Sequence, residues 1–124
     1  MLLRLTILAL CAVSTAASAA AAAELLMVRK AGCPWCLRWD AEIAPVYPKT
    51  EESIVAPLRE VDVREMSKAG VAFDSAVLFT PTFVLAEDGR EVGRIEGYAG
   101  DEFFWVLLDQ LLDKLSSELR EEEP

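Results

Sequence analysis

The sequence predicts a small α/β domain in which a mixed central sheet is flanked by helices. Three observations support this fold class. A helical pattern separates the first two predicted strands, which makes them parallel neighbours. An Asp-Gly pair separates two later β-prone runs, which favours an antiparallel hairpin. An amphipathic helix follows the hairpin, and one sheet with helices packed against it accounts for all of these elements. The length of 124 residues suits one such domain.

Residues 1–19 have the pattern of a cleavable secretory signal, so we expect the mature domain to occupy residues 20–124. Arg4 supplies a charged start, Leu5 to Val13 form a mostly apolar stretch, and Ala17 to Ala19 provide a small-residue cleavage site. The apolar stretch is shorter than the roughly 20 residues that span a membrane. We therefore expect secretion, with a bacterial periplasm as the location.

Cleavage also determines which thiols remain and what charge the chain carries. Cys11 would be removed, which leaves Cys33 and Cys36 in a compartment where disulfides persist. The removed segment holds one basic residue and no acid, so the mature net charge is 11 − 21 = −10. This charge argues against nucleic acid as a partner, because phosphate binding requires a basic patch. The sequence has no histidine, which excludes Ser-His-Asp and Cys-His hydrolases and His-containing metal sites.

The first strand and the first helix surround the two cysteines. Glu24 to Val28 is a short apolar run, typical of a strand of about five residues that the fold buries. A helical pattern begins at Pro34 and ends where Pro45 and Pro48 stop or kink the helix. Its apolar residues share helical spacing: Cys36, Trp39 and Ile43.

The middle of the chain has weaker signals. We expect Thr50 to Ala56 to form a loop and Pro57 to Val63 to form the second strand. Met66 to Gly70 is compatible with one helical turn. The segment Val71 to Phe79 favours neither helix nor strand, and its structure stays open.

The last third of the chain predicts a hairpin and a helix. Thr82 to Ala86 and Glu91 to Ile95 are strands joined by a turn that contains Asp88-Gly89. Gly97 to Gly100 form a turn into a helix that opens at Asp101, with acidic residues well placed at its N-terminus. This turn could also contribute to a substrate groove. Its apolar residues form one stripe: Phe104, Leu108, Leu111, Leu112, Leu115 and Leu119.

The Cys33-Pro34-Trp35-Cys36 motif lies at the predicted strand-to-helix junction. In a helix, residues three apart share a face with Cβ atoms about 5 to 6 Å apart, close to the spacing of a disulfide. Pro34 suits the first helical position because an N–H there would have no helical partner. Cys33 would occupy the exposed helix N-terminus, where amides and the helix dipole favour a thiolate, while Cys36 would be recessed. We therefore predict a redox dithiol with Cys33 as nucleophile and Cys36 as resolving thiol.

Other uses of the cysteine pair are less well supported. A structural staple would close a loop of very few residues and so constrain little chain entropy. Zinc requires four ligands from Cys or His, and only two cysteines remain. Copper could accept two thiolates, but Met27 and Met66 are not visibly arranged to assist. We expect no metal or other cofactor, and a dithiol metallochaperone stays open as an alternative function.

The Cys33-Cys36 motif is followed later in the chain by a second motif, Thr80-Pro81. With both motifs in this order, the sequence resembles the thioredoxin superfamily over about residues 24–119. The strand, CPWC and helix are followed by FTPTFVLAEDGREVGRIEGY and a final helix. In that family a small residue before a cis-proline faces the CxxC pair, and Thr80-Pro81 occupies that place here. The resemblance implies a thioredoxin-like fold, thiol-disulfide oxidoreductase activity, and a substrate-binding surface formed by Pro34, Trp35, Thr80 and Pro81.

Within the superfamily, CPWCLRWDAEIAPVYPKT and FTPTFVL are most similar to periplasmic thioredoxin-like proteins of the SoxS type, which are associated with bacterial sulfur oxidation. This resemblance implies a reductase that keeps a cysteine-bearing sulfur carrier protein active. It also implies a membrane electron donor that reduces the dithiol again. We expect a monomer.

The sequence departs from thioredoxin in that Gly32 precedes Cys33, Trp35 lies between the thiols, and the first strand and helix of thioredoxin have no counterpart. Two further positions bear on the chemistry. Met27 stands where thioredoxin has a buried acid, so proton removal from Cys36 would depend on water or another group. Lys30, three residues before Cys33, is a glutaredoxin-like feature, which leaves a glutathione-dependent reductase as an alternative. Lys30 could stabilise the Cys33 thiolate, or it could be solvated at the strand end. Trp35 is expected to be exposed as a partner contact, because tryptophan is favoured at interface hot spots.

Overall fold

The computed structural model describes residues 23–115, and it contains a four-stranded mixed sheet. The strands are β1 (Ala23–Arg29), β2 (Leu58–Asp62), β3 (Thr82–Glu87) and β4 (Arg90–Glu96), in the spatial order β2-β1-β3-β4. β1 pairs with β2 in parallel, and the pairs β1·β3 and β3·β4 are antiparallel. The predicted fold class, the parallel first pair and the Asp88-Gly89 hairpin are thereby confirmed.

Three α-helices accompany the sheet: α1 (Pro34–Glu42), α2 (Glu51–Val55) and α3 (Asp101–Leu112). Of two 3-10 segments, Tyr47–Lys49 lies between α1 and α2, and Val63–Lys68 directly follows β2. Within the described part of the chain, no helix has the length and apolar character needed to cross a bilayer. The predicted signal, Cys11 and Leu119 lie outside the described residues.

One face of the sheet packs against α1 and α3. Leu25 and Met27 of β1 point to this face, since side chains alternate along a strand. The predicted helical stripes supply the opposing surface, and the expectation that Trp39 belongs to the core is confirmed. The buried helix residues of this core include Cys36, Trp39, Phe104, Leu108 and Leu111.

The other face of the sheet is covered without an α-helix. Leu26, Val28 and Val84 point to this face and are fully buried. Their cover consists of the 3-10 segment Val63–Lys68 and the chain that follows it, through Val63, Met66, Val71, Phe73 and Val77. The segment left open by the sequence thus has irregular structure, with an isolated bridge between Ala72 and Arg90.

The prediction of a loop over Thr50 to Ala56 is wrong, because α2 occupies most of that range. The Thr50 hydroxyl accepts a hydrogen bond from the Ser53 amide at 3.3 Å, which is an N-cap interaction. Glu51 and Glu52 lie in the first turn, where acidic side chains stabilise a helix. The cap and these charges therefore supply the helix signal, since α2 buries no side chain that would give an apolar pattern.

Candidate redox-active site

Cys33 and Cys36 form a disulfide at the junction between β1 and α1, with Cα atoms 5.3 Å apart. Cys33 is the N-cap residue of α1, and its Sγ accepts a hydrogen bond from the Cys36 amide at 3.1 Å. Pro34 occupies the first helical turn as expected. The helix N-terminus therefore directs an N–H group at the sulfur of Cys33, which favours a thiolate on that sulfur once the disulfide is reduced.

The expectation that Cys33 is exposed while Cys36 is recessed is only half correct. Cys33 is 4% exposed and Cys36 is 1% exposed, so both are buried in the oxidised pair. The cause is the chain before β3, because the Thr80 carbonyl oxygen lies 3.3 Å from the Cys33 Sγ. The difference between the two sulfurs therefore rests on the helix amide at Cys33 and on the cleft that Cys33, but not Cys36, lines.

The Thr80-Pro81 peptide bond is cis and lies beside the disulfide, so the predicted placement of this motif is confirmed. Neighbouring contacts hold the segment in place. The Thr82 hydroxyl, fully buried, donates to the Phe79 carbonyl at 2.7 Å, and the Gly97 amide donates to the Pro81 carbonyl at 2.7 Å. The structure thus brings Thr80 and Pro81 to the cysteines from a position far along the chain.

A groove of about 440 Å³ adjoins the site on the side of β3 and β4. Trp35 and Phe79 stand beside this groove, and their side chains are 53% and 60% exposed. The exposure of Trp35 agrees with the expectation from sequence. The sequence analysis did not single out Phe79, although its position directly before Thr80 is a signal that could have identified it. Tyr98 belongs to the turn for which the sequence allowed a substrate-groove role, and it lines this groove. The remaining lining residues are Thr80, Glu96, Gly97 and Ala99.

A second cleft, of about 360 Å³, adjoins Cys33 on the side of β2. Lys30 is exposed and lines this cleft together with Cys33. Arg29 also lines it, but its guanidinium binds the Asp40 carboxylate through two hydrogen bonds of 2.8 and 2.7 Å, and it donates to Glu60 at 2.9 Å. The charge of Arg29 is therefore paired, and Lys30 is the cation that a ligand in this cleft would meet first.

The surroundings of Cys36 contain no carboxylate among the buried residues that the structure describes. Met27 is fully buried in the same core cluster, where the resemblance to thioredoxin would place an acid. Met66 packs against the opposite face of the sheet, so Met27 and Met66 are not placed to join the thiols in one copper site. Between residues 23 and 115, no group of three or more His, Cys, Asp or Glu side chains could hold a metal ion.

A largely buried ion pair anchors the chain that leads to Thr80, and the sequence analysis missed it. The pairing of β3 with β4 skips Val92, so Glu91 and Arg94 point to the same face although they are three residues apart. Arg94 Nε donates to Glu91 Oε1 at 2.5 Å, and the two side chains are 13% and 1% exposed. Arg94 also donates to the carbonyls of Ser75 and Ala76, at 3.0 and 3.1 Å.

Solved structures similar to this chain include two thioredoxins. The periplasmic thioredoxin SoxS from Paracoccus pantotrophus, in its reduced form, is 45% identical with a TM-score of 0.72, over 75% of this chain and 98% of that one. A thioredoxin from Fasciola hepatica is 26% identical with a TM-score of 0.50, over 71% of this chain and 79% of that one. A scan of protein-family models and a search of curated proteins find no match.

Proposed function

The chain belongs to the thioredoxin superfamily and is a thiol-disulfide oxidoreductase, and from that premise we propose that it is a periplasmic reductase of protein disulfides or persulfides. The observation that carries the proposal is the contact of Cys33 with both the helix amide of Cys36 and the carbonyl of Thr80. The 45% identity to a periplasmic thioredoxin named SoxS supports the compartment. The proposed role in sulfur oxidation rests on the resemblance of the sequence motifs to SoxS-type proteins. The substrate would then be a sulfur carrier protein with a reactive cysteine.

In the proposed reaction, the Cys33 thiolate attacks one sulfur of the substrate disulfide and displaces the other as a thiolate. This step forms a mixed disulfide between Cys33 and the substrate. Cys36 then loses its proton and attacks the Cys33 sulfur, which releases the second substrate thiol and forms the Cys33-Cys36 disulfide. Two electrons pass to the substrate in each cycle. A membrane electron donor would then supply two electrons to reduce the Cys33-Cys36 disulfide again.

A trapping experiment tests the roles of the two cysteines and identifies the substrate. Cys36→Ser should attack but fail to release, so a mixed disulfide should accumulate, while Cys33→Ser should trap far less. Affinity capture from cells that oxidise thiosulfate, followed by release with reductant, should recover a sulfur carrier protein. Equal trapping by the two variants would contradict the assigned roles. Recovery of glutathione alone would favour the glutaredoxin-like alternative, in which Lys30 lines the glutathione site.

The direction of electron flow has its own test. A reductase should have a reduction potential near that of thioredoxin, about −270 mV, whereas a strong oxidant lies near −120 mV. Equilibration of the Cys33-Cys36 pair with glutathione buffers measures this value. A potential near −120 mV would overturn the proposed direction. Titration with Cu(I) and thiol counting would reveal the metallochaperone alternative as stoichiometric binding to the dithiol.

We also propose that residues 1–19 are removed on export. The charged start, the short apolar stretch and the Ala17 to Ala19 site support this, as does the periplasmic location of the similar SoxS. Mass spectrometry of the protein from a periplasmic extract should find a start near Ala20. A mature chain that still contains Cys11, free or lipidated, would refute the proposal.

A further inference from the structure

We propose that Arg38 is a positioning residue that holds the Trp35 ring as one wall of the groove beside Cys33. In this role it determines how well a protein substrate docks. The inference rests on the proposed function, because it assigns Trp35 a contact with the substrate. It concerns the docking of large substrates and leaves the chemistry of the sulfur atoms unchanged.

The guanidinium of Arg38 lies between two aromatic rings that both line the groove. Its central carbon is 5.8 Å from the centre of the Trp35 ring and 5.7 Å from the centre of the Tyr98 ring. Both distances fall within the roughly 6 Å range of cation–π attraction. Arg38 therefore links the exposed tryptophan of the CPWC motif to the turn before α3, which forms the far side of the groove.

A shared carboxylate fixes the orientation of Arg38. Arg38 Nε donates to Glu42 Oε1 at 2.8 Å, and the Tyr98 hydroxyl donates to the other oxygen of the same carboxylate. These two donors lower the pKa of Glu42, Tyr98 more than Arg38, so the carboxylate stays ionised at neutral pH. Glu42 thus binds both the guanidinium and the ring that the guanidinium contacts.

Trp35 is about half exposed, so its ring has room to move unless a specific contact holds it. Its side chain is 53% exposed, and the only ring contact found for it within residues 23–115 is the one with Arg38. Without Arg38, the Trp35 ring is free to change rotamer. Binding of a protein substrate then has to order the ring, and the side-chain entropy lost in doing so weakens docking. Cys33 Sγ contacts the Cys36 amide and the Thr80 carbonyl, neither of which involves Arg38. The chemical step should therefore be insensitive to Arg38.

The test compares a protein disulfide with a small one. Insulin, with dithiothreitol as the electron source, reports docking, and 5,5′-dithiobis(2-nitrobenzoate) reports the reactivity of the reduced dithiol. We expect Arg38→Gln to raise KM for insulin by about threefold to tenfold, the effect of one unrestrained side chain, with little change in kcat. Its reaction with the small disulfide should stay within about twofold of wild type. Arg38→Lys keeps the charge and should give an intermediate KM.

Two further variants separate a positioning role from a general effect. Lys68→Gln removes a positive charge that is exposed and paired with Glu65, so it controls for net charge and should leave the insulin KM unchanged. In a Trp35→Ala background, Arg38→Gln should add almost nothing if Arg38 acts through Trp35.

An undiminished effect of Arg38→Gln in the Trp35→Ala background would overturn the inference, as would an equal loss of activity on both substrates. A wild-type protein that reduces neither substrate would instead overturn the proposed function, and this inference with it.

Discussion

Replacement of Arg94 by methionine should strongly destabilise the protein, because it leaves a buried carboxylate without its partner. The side chain of Glu91 is only 1% exposed. Its oxygens accept hydrogen bonds from Arg94 at 2.5 and 2.9 Å and from the Asp74 amide at 2.6 Å. After Arg94→Met, the Asp74 amide stays as the one donor to that carboxylate among the hydrogen bonds described, and the carbonyls of Ser75 and Ala76 also lose their donor.

The size of the expected destabilisation by Arg94→Met follows from the burial of the Glu91-Arg94 ion pair. Removal of one partner from a buried ion pair costs about 3 to 5 kcal/mol, because the remaining charge is desolvated without compensation. A domain of this size has a total stability of about 5 to 15 kcal/mol. A loss of about 3 kcal/mol would lower the melting temperature by at least about 12 °C, since each kcal/mol corresponds to about 4 to 8 °C.

The stability loss caused by Arg94→Met should depend on pH in a specific way. Burial raises the pKa of Glu91, but the Arg94 guanidinium and the Asp74 amide outweigh it, so the pKa of Glu91 is lowered in the folded wild type. A lowered folded pKa contributes stability above the unfolded pKa, and this stability is lost as pH falls through the folded value. In Arg94→Met the burial remains without the guanidinium, so the pKa of Glu91 should rise. The deficit of the variant should therefore be largest at neutral pH and smaller in acid.

Urea unfolding at pH 7 and at pH 4.5 tests this reasoning. The double variant Glu91→Gln with Arg94→Met should recover part of the loss at pH 7, because no buried charge is left. Arg64→Met serves as a matched control, since the Arg64 side chain is 80% exposed in its pair with Asp62, and its unfolding midpoint should hardly move. Equal deficits at both pH values, or no recovery in the double variant, would refute the explanation.

Two smaller effects on stability should accompany this one. Thr50→Ala removes the N-cap of α2 and should lower the stability by about 1 kcal/mol, measured as a fall of about 4 to 8 °C in melting temperature. Thr50→Ser keeps the hydroxyl and serves as the control. An equal loss in both variants would exclude the cap as the cause. Tyr47→Phe removes a hydroxyl that donates to the buried Ala56 carbonyl at 2.6 Å, while the ring can still stack on Trp105. We expect a loss of about 1 to 3 kcal/mol in urea unfolding, and an unchanged midpoint would show that water replaces the lost donor.

Local patterns explain which elements the sequence could predict. β1, β3 and β4 follow from apolar or β-prone runs, and the hairpin between β3 and β4 follows from Asp88-Gly89. α1 and α3 are long enough for apolar residues to recur at helical spacing. α2 has five residues and buries none of them, so it offers no apolar period, and only Thr50 and the acids after it indicate a helix.

The residues of the candidate site also differ in how well the sequence could predict them. Cys33, Cys36, Thr80 and Pro81 were predicted because two motifs mark them in the sequence. The groove residue Tyr98 was indicated only as a member of the turn Gly97 to Gly100, because its own contacts are with α1, which lies about sixty residues earlier in the chain. The Glu91-Arg94 pair could not be predicted either, since residues three apart in a strand point to opposite faces unless a bulge lies between them.

The irregular segment between residues 71 and 79 links the stability of this fold to its chemistry. Its Val71, Phe73 and Val77 cover the face of the sheet that has no α-helix, so the segment is part of the core. Its last two residues, Leu78 and Phe79, are 77% and 60% exposed and lead directly into Thr80. Because one length of chain does both, we expect a substitution that loosens its packing to displace the Thr80 carbonyl beside Cys33 as well. Arg94, which holds the middle of this segment, should therefore affect both unfolding and the reduction of protein disulfides.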